Sequence, residues 1–120
     1  MRLLVRCVHG IEPVAAAEVA DVLGGDVRIA RREVRVDLAA PDARVTALRC
    51  ADDAFSVVGE VASDDPTKAG LAPLAAAVAA LDWPAALDGV RALRPAPPAA
   101  FDCVASIEGR RSHNRFLAED

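Results

Sequence analysis

The chain has no tyrosine, one tryptophan, three phenylalanines and a single lysine, Lys68. So few aromatics leave no stacking platform for bases beside the basic residues. Arginine therefore carries almost all the basic charge, a preference that, with the excess of alanine, glycine, valine and aspartate, is the pattern translation of GC-rich DNA produces and so carries less functional weight. A net charge of −4 argues against affinity drawn from bulk attraction to nucleic acid, while leaving room for a local basic patch on an acidic body. Cys7, Cys50 and Cys103 are odd in number, far apart and without C-x-x-C spacing. They read as reduced, buried small hydrophobes of a cytoplasmic protein, with no metal role. The longest apolar stretch, LAPLAAAVAAL, has 11 residues and includes a proline, too short to cross a bilayer. Arg6 breaks the amino-terminal apolar run before it reaches the length of a signal peptide.

What is present is a globular composition, 53% apolar and 27% charged, in a length that suits one ordinary domain or two very small ones. RLLVRCV (2–8) alternates with period two, which predicts a strand with Leu3, Val5 and Cys7 on one face. Glu12-Pro13 suits the first turn of a helix, Ile11, Ala15, Val19, Val22 and Leu23 recur at helical spacing, and Gly24-Gly25 stops it. DVRIARREVRVDL (26–38) holds two alternating runs whose parity changes at Ala30-Arg31-Arg32-Glu33, so a hairpin turns there. Pro41-Asp42 opens a second helix with Val45, Leu48 and Ala51 on its apolar side, and 54–62 forms a fourth strand with Phe55, Val57 and Val61 on one face. This order predicts an α+β, ferredoxin-like βαββαβ unit over 1–62, an antiparallel sheet in order 4-1-3-2 with two helices on one face.

Residues 63–70 are a polar linker with proline and glycine, and 71–120 form a second, incomplete α/β unit. It contains a helix with Leu71, Leu74, Ala75, Val78 and Leu81 in its stripe, Trp83 in core or subdomain packing rather than as a base-stacking platform, a short helix through Leu87 and Val90, a connector over 94–100 and a strand over 101–109. A strand left uncovered at 101–108 offers an edge for homodimer pairing.

No catalytic constellation is visible. His9 and His113 lack neighbouring cysteines or spaced carboxylates, no glycine-rich loop follows a strand, and Asp52-Asp53 and Asp64-Asp65 read as solvated turn acids. The basic groups carry more information. In the expected sheet, Arg2, Arg6, Arg28 and Arg35 share the face opposite the helices, with Arg31 and Arg32 at the hairpin tip. Guanidiniums so placed can reach phosphates; the alternative is a solvated face laced by Glu33, Asp37 and Glu60. Arg110, Arg111, His113, Asn114 and Arg115 are denser still, at a strand-to-helix turn where backbone N–H groups also favour anions. The alternative there is an exposed loop.

Taken in order, HGIEPVAAAEVADVLGG, VRIARREVRVDL, ALRCADDAFSVVGEV, LAPLAAAVAALDW and FDCVASIEGRRSHNRFLAED resemble the amino-terminal ferredoxin-like domain and first half of the THUMP domain of THUMP-containing RNA methyltransferases. The resemblance spans nearly the whole chain. It implies an RNA-recognition region for tRNA or rRNA, with Arg110, Arg111, Asn114 and Arg115 facing RNA and a THUMP helix beginning at Phe116 and cut short. It assigns guanine-N2 methylation and S-adenosylmethionine to a downstream Rossmann-like domain, in cis or in trans. That domain's glycine-rich loop and Asn/Asp-Pro-Pro-aromatic tetrapeptide have no counterpart in these 120 residues. A protein–protein or regulatory module is the competing expectation.

Overall fold

The computed structural model describes residues 1–63, 65–93 and 104–105. Their elements are β1 (Arg2–Arg6), α1 (Glu12–Leu23), β2 (Asp26–Ala30), β3 (Glu33–Asp37), β4 (Asp53–Ser56), α2 (Leu71–Ala79) and α3 (Trp83–Leu93), with 3-10 helices at Ala43–Ala47 and Lys68–Gly70. The architecture is α+β, around a four-stranded antiparallel sheet in the order β2-β3-β1-β4.

Alternation in β1 puts Leu3, Val5 and Cys7 under α1, where they meet Val34 and Val36 of β3 and Ala15, Ala16, Val19 and Leu23 of the helix; all nine are buried. Small alanines on the helix let its backbone approach the branched side chains of the sheet closely. Glu12 and Pro13 occupy the first turn as the sequence predicts, and Gly24 ends the helix at φ 71 with its N–H donated to Ala20 O at 3.0 Å. Gly25 is required twice over. Its φ is 86, and a Cβ there would stand 2.6 Å from the carbonyl oxygen of Asp37. The hairpin also falls where parity predicts it, with Ala30 paired to Glu33 across Arg31-Arg32. Ile29 belongs to the inward set but stays 55% exposed on the edge strand.

Two expectations are corrected. The segment expected as a second helix over 42–51 forms only the 3-10 helix Ala43–Ala47. In an α-helix the N–H groups of Arg49 and Cys50 would bond to carbonyls four residues back. Here both are donated at 2.8 Å to the carboxylate of Glu18, a residue of α1. The fourth strand is likewise shorter than 54–62 and covers Asp53–Ser56. Its ladder runs along β1, which ends at Arg2; the last bond is Val57 N–H to Arg2 O at 2.9 Å, and among the described residues later positions have no strand to pair with. Phe55 also lies away from the core, opposite Leu4, while Ala54 and Ser56 take the helix side opposite Val5 and Leu3.

The chain forms two compact units, one of Met1–Val58 with 82–93, the other built on Gly59–Leu81. α3 therefore groups with the sheet and α2 with the second unit. In that second unit Gly70 is buried against Asp65, whose backbone oxygen leaves no room for a side chain. The expected connector over 94–100 lies outside the described residues, as does the strand over 101–109 apart from Val104 and Ala105. No helix among the described residues is long and apolar enough to cross a membrane.

Candidate nucleic-acid interface

Cross-strand register decides what the sheet face opposite α1 displays, because directly opposed residues point the same way. Three rows run across it. One holds Arg2, Asp37 and Asp26; the middle one Phe55, Leu4, Arg35 and Arg28; the third Asp53, Arg6, Glu33 and Ala30. The four arginines expected on one face are thus together, but four carboxylates stand among them. Arg28 is 2.8 Å from Asp26 and 3.7 Å from Asp37, and Arg35 is 2.8 Å from Glu33. Asp26, by hydrogen bonding and then by charge, raises the affinity of the Arg28 guanidinium for its proton. Arg6 lies over the ring of Phe55, 5.8 Å from its centroid. Glu60, expected among these acids, falls beyond the end of β4.

The hairpin tip is different. Arg31 and Arg32 are both exposed, and their guanidiniums form no ion pair among the described residues. Arg32 holds a left-handed backbone at φ 63, unusual for an arginine. Its position is fixed from both sides: its N–H donates to Glu12 Oε1 at 3.0 Å and its carbonyl accepts from the N–H of Cys7 at 3.0 Å.

Glu12 is the hub of this corner. It is 7% exposed, and its carboxylate also accepts from Gly10 N–H at 2.7 Å and lies 3.0 Å from His9 Nδ1. Its own backbone N–H, then that of Arg32, then the His9 ring hold its pKa down at about 2, against the opposing effect of burial. The carboxylate is therefore ionised at neutral pH and ties the β1–α1 loop to the β2–β3 tip. As a first-turn acid Glu12 was legible in the sequence; as the anchor of a tip twenty residues away it was not, since nothing local marks a buried acceptor. Cys7, beneath it, has its thiol pKa pushed up by burial and then by Glu12, which suits an inert core residue.

The remaining sites divide simply. Arg110, Arg111, His113, Asn114 and Arg115 lie outside the described residues, as do Cys103 and Asp64. Trp83, expected in packing, is 42% exposed at the start of α3. Asp52 and Asp53 are exposed, and with Leu3, Val45, Leu48 and Val90 they line a cavity of about 370 Å3. No three metal-binding side chains come together among the described residues. No protein-family model, curated protein or solved structure matches this chain.

Proposed function

We propose that this chain is the RNA-recognition region of a THUMP-type RNA methyltransferase, with a ferredoxin-like unit that holds tRNA or rRNA for a catalytic domain in cis or in trans. The observation that carries the reading is the pair of exposed guanidiniums at Arg31 and Arg32, without an ion pair among the described residues, on a hairpin tip anchored by Glu12. An anchored tip offers charge to phosphate with little loss of backbone freedom on binding. The order β2-β3-β1-β4 supports the ferredoxin-like assignment, with a 3-10 helix standing where that plan has its second helix. Arg28 and Arg35 contribute less to RNA than their position suggests, because each is engaged by a carboxylate. Arg110, Arg111, His113, Asn114 and Arg115 supply the second contact in this proposal, on the strength of their density in the sequence. S-adenosylmethionine has no glycine-rich loop to bind here, so no catalytic step is assigned to these residues.

A filter-binding titration against tRNA over a range of salt tests it. Arg31→Ala/Arg32→Ala should weaken binding and flatten the slope of log K against log salt by about 1.4, roughly 0.7 for each phosphate of single-stranded RNA that is no longer neutralised. Arg110→Ala/Arg111→Ala should do the same. Parental affinity and slope in both double variants would sink the proposal.

A further inference from the structure

We infer that His9 is a third phosphate-binding group of the corner built by Arg31 and Arg32, acting through Nε2 in its imidazolium form. The inference rests on the RNA reading above and adds to it a contact and a pH dependence.

His9 sits in the loop between β1 and α1, and one oxygen atom places it beside the tip. His9 Nδ1 and the backbone nitrogen of Arg32 are each 3.0 Å from Glu12 Oε1, so the two nitrogens are no further apart than twice that distance. Glu12 also decides which ring nitrogen carries the proton. Its carboxylate, ionised at neutral pH, can only accept, so Nδ1 donates to it and Nε2 is the atom left over. The side chain is 69% exposed, and Nε2 has no partner among the described residues. A neutral ring presents phosphate with a lone pair at that atom, which repels it; the protonated ring presents an N–H. The charged groups around the loop are Glu12 of α1, Arg31 and Arg32 of the tip and, ahead of β4, Asp52, which with Glu12 acts on the neighbouring Cys7 thiol. The guanidiniums oppose a further positive charge here, and a bound phosphate removes that opposition. RNA binding therefore draws a proton from solvent onto Nε2, in the range between about pH 5 and pH 8 where histidine changes charge.

Filter binding of the full chain to tRNA at about pH 7.5 and about pH 5.5, each over a range of salt, tests this. The Glu12 anchor, with its pKa of about 2, is the same at both. The parent should bind about fivefold more tightly at the lower pH, with a salt slope steeper by about 0.7 for the added phosphate contact. In His9→Asn the side-chain amide can replace Nδ1 as donor to Glu12, but nothing stands in for Nε2; its gain should fall below about twofold. His113→Asn, which changes the other histidine, should retain a gain of at least about threefold. Circular dichroism at both pH values confirms that each variant is folded. A purely structural role for His9 would weaken binding equally at both pH values and leave the ratio intact in His9→Asn, which would overturn the inference. So would a parent that binds equally well at the two pH values, or a gain that vanishes in His113→Asn. Each of these leaves the RNA reading standing, whereas a parent that binds tRNA at neither pH removes both.

Discussion

At the scale of single residues, two glutamates of α1 do the same job in different places: each commits its carboxylate to backbone N–H groups outside the helix. Glu12 takes those of Gly10 and Arg32, and Glu18 those of Arg49 and Cys50. Such charge-assisted bonds are stronger than neutral ones, and they depend on the acceptor being ionised. For Glu12 the sign follows from its pKa of about 2, below that of a glutamate in an unfolded chain at about 4.3. Folding therefore favours the ionised form. The stabilisation is complete above the unfolded value and is lost as pH falls through the folded one. Thermal melts followed by circular dichroism should show Glu12→Gln less stable than the parent above about pH 5, with the margin closing below about pH 4. A margin that persists unchanged at about pH 2.5 would mean that the side chain acts through shape rather than charge.

At the scale of elements, Glu18 explains why one part of the fold was legible and its neighbour was not. α1 can be read from its apolar spacing and from Gly24-Gly25, and the hairpin from the change of parity at Arg31-Arg32, because both signals are local. The stretch 42–51 carries an equally good helical pattern, yet its backbone is drawn off by an acceptor 31 and 32 residues away. Asp42 adds to this by holding the Arg44 guanidinium and accepting from the Arg44 N–H at 2.9 Å, which in that order lower the pKa of the Asp42 carboxyl and fix a tight first turn. β4 fails for a related reason: its length is set by where β1 ends, not by its own alternation. The candidate site divides along the same line. Which arginines share a face was legible from period two; which of them are already committed to carboxylates was not. Glu18→Ala should therefore cut the hydrogen-exchange protection of the Arg49 and Cys50 amides at least tenfold, while leaving those of β1 and β3 within about threefold of the parent. Unchanged protection at 49 and 50 would show that other forces keep this segment out of an α-helix.

At the scale of the whole molecule, buried apolar surface is unevenly shared. Among the described residues, the nine buried apolar ones belong to β1, α1 and β3 or directly follow β1, and α2 contributes none. Helical propensity alone sustains a nine-residue helix poorly in water, so α2 opens locally at a cost well below that of unfolding the sheet. Leu3, 3% exposed in β1, separates the two kinds of opening. Truncation to alanine removes buried methyl groups and leaves a cavity, costing about 2–4 kcal/mol. For amides that exchange only by global unfolding of the sheet unit, that cost corresponds to roughly a 30- to 1000-fold faster rate. In native-state hydrogen exchange the parent should show β1 and β3 amides protected at least about 100-fold more than those of α2. Leu3→Ala should bring the strands down by the factor above and leave α2 almost where it was. If α2 instead loses protection in step with β1, its helix opens only when the sheet does, and the chain has a single cooperative unit rather than one firm body and one weakly held one.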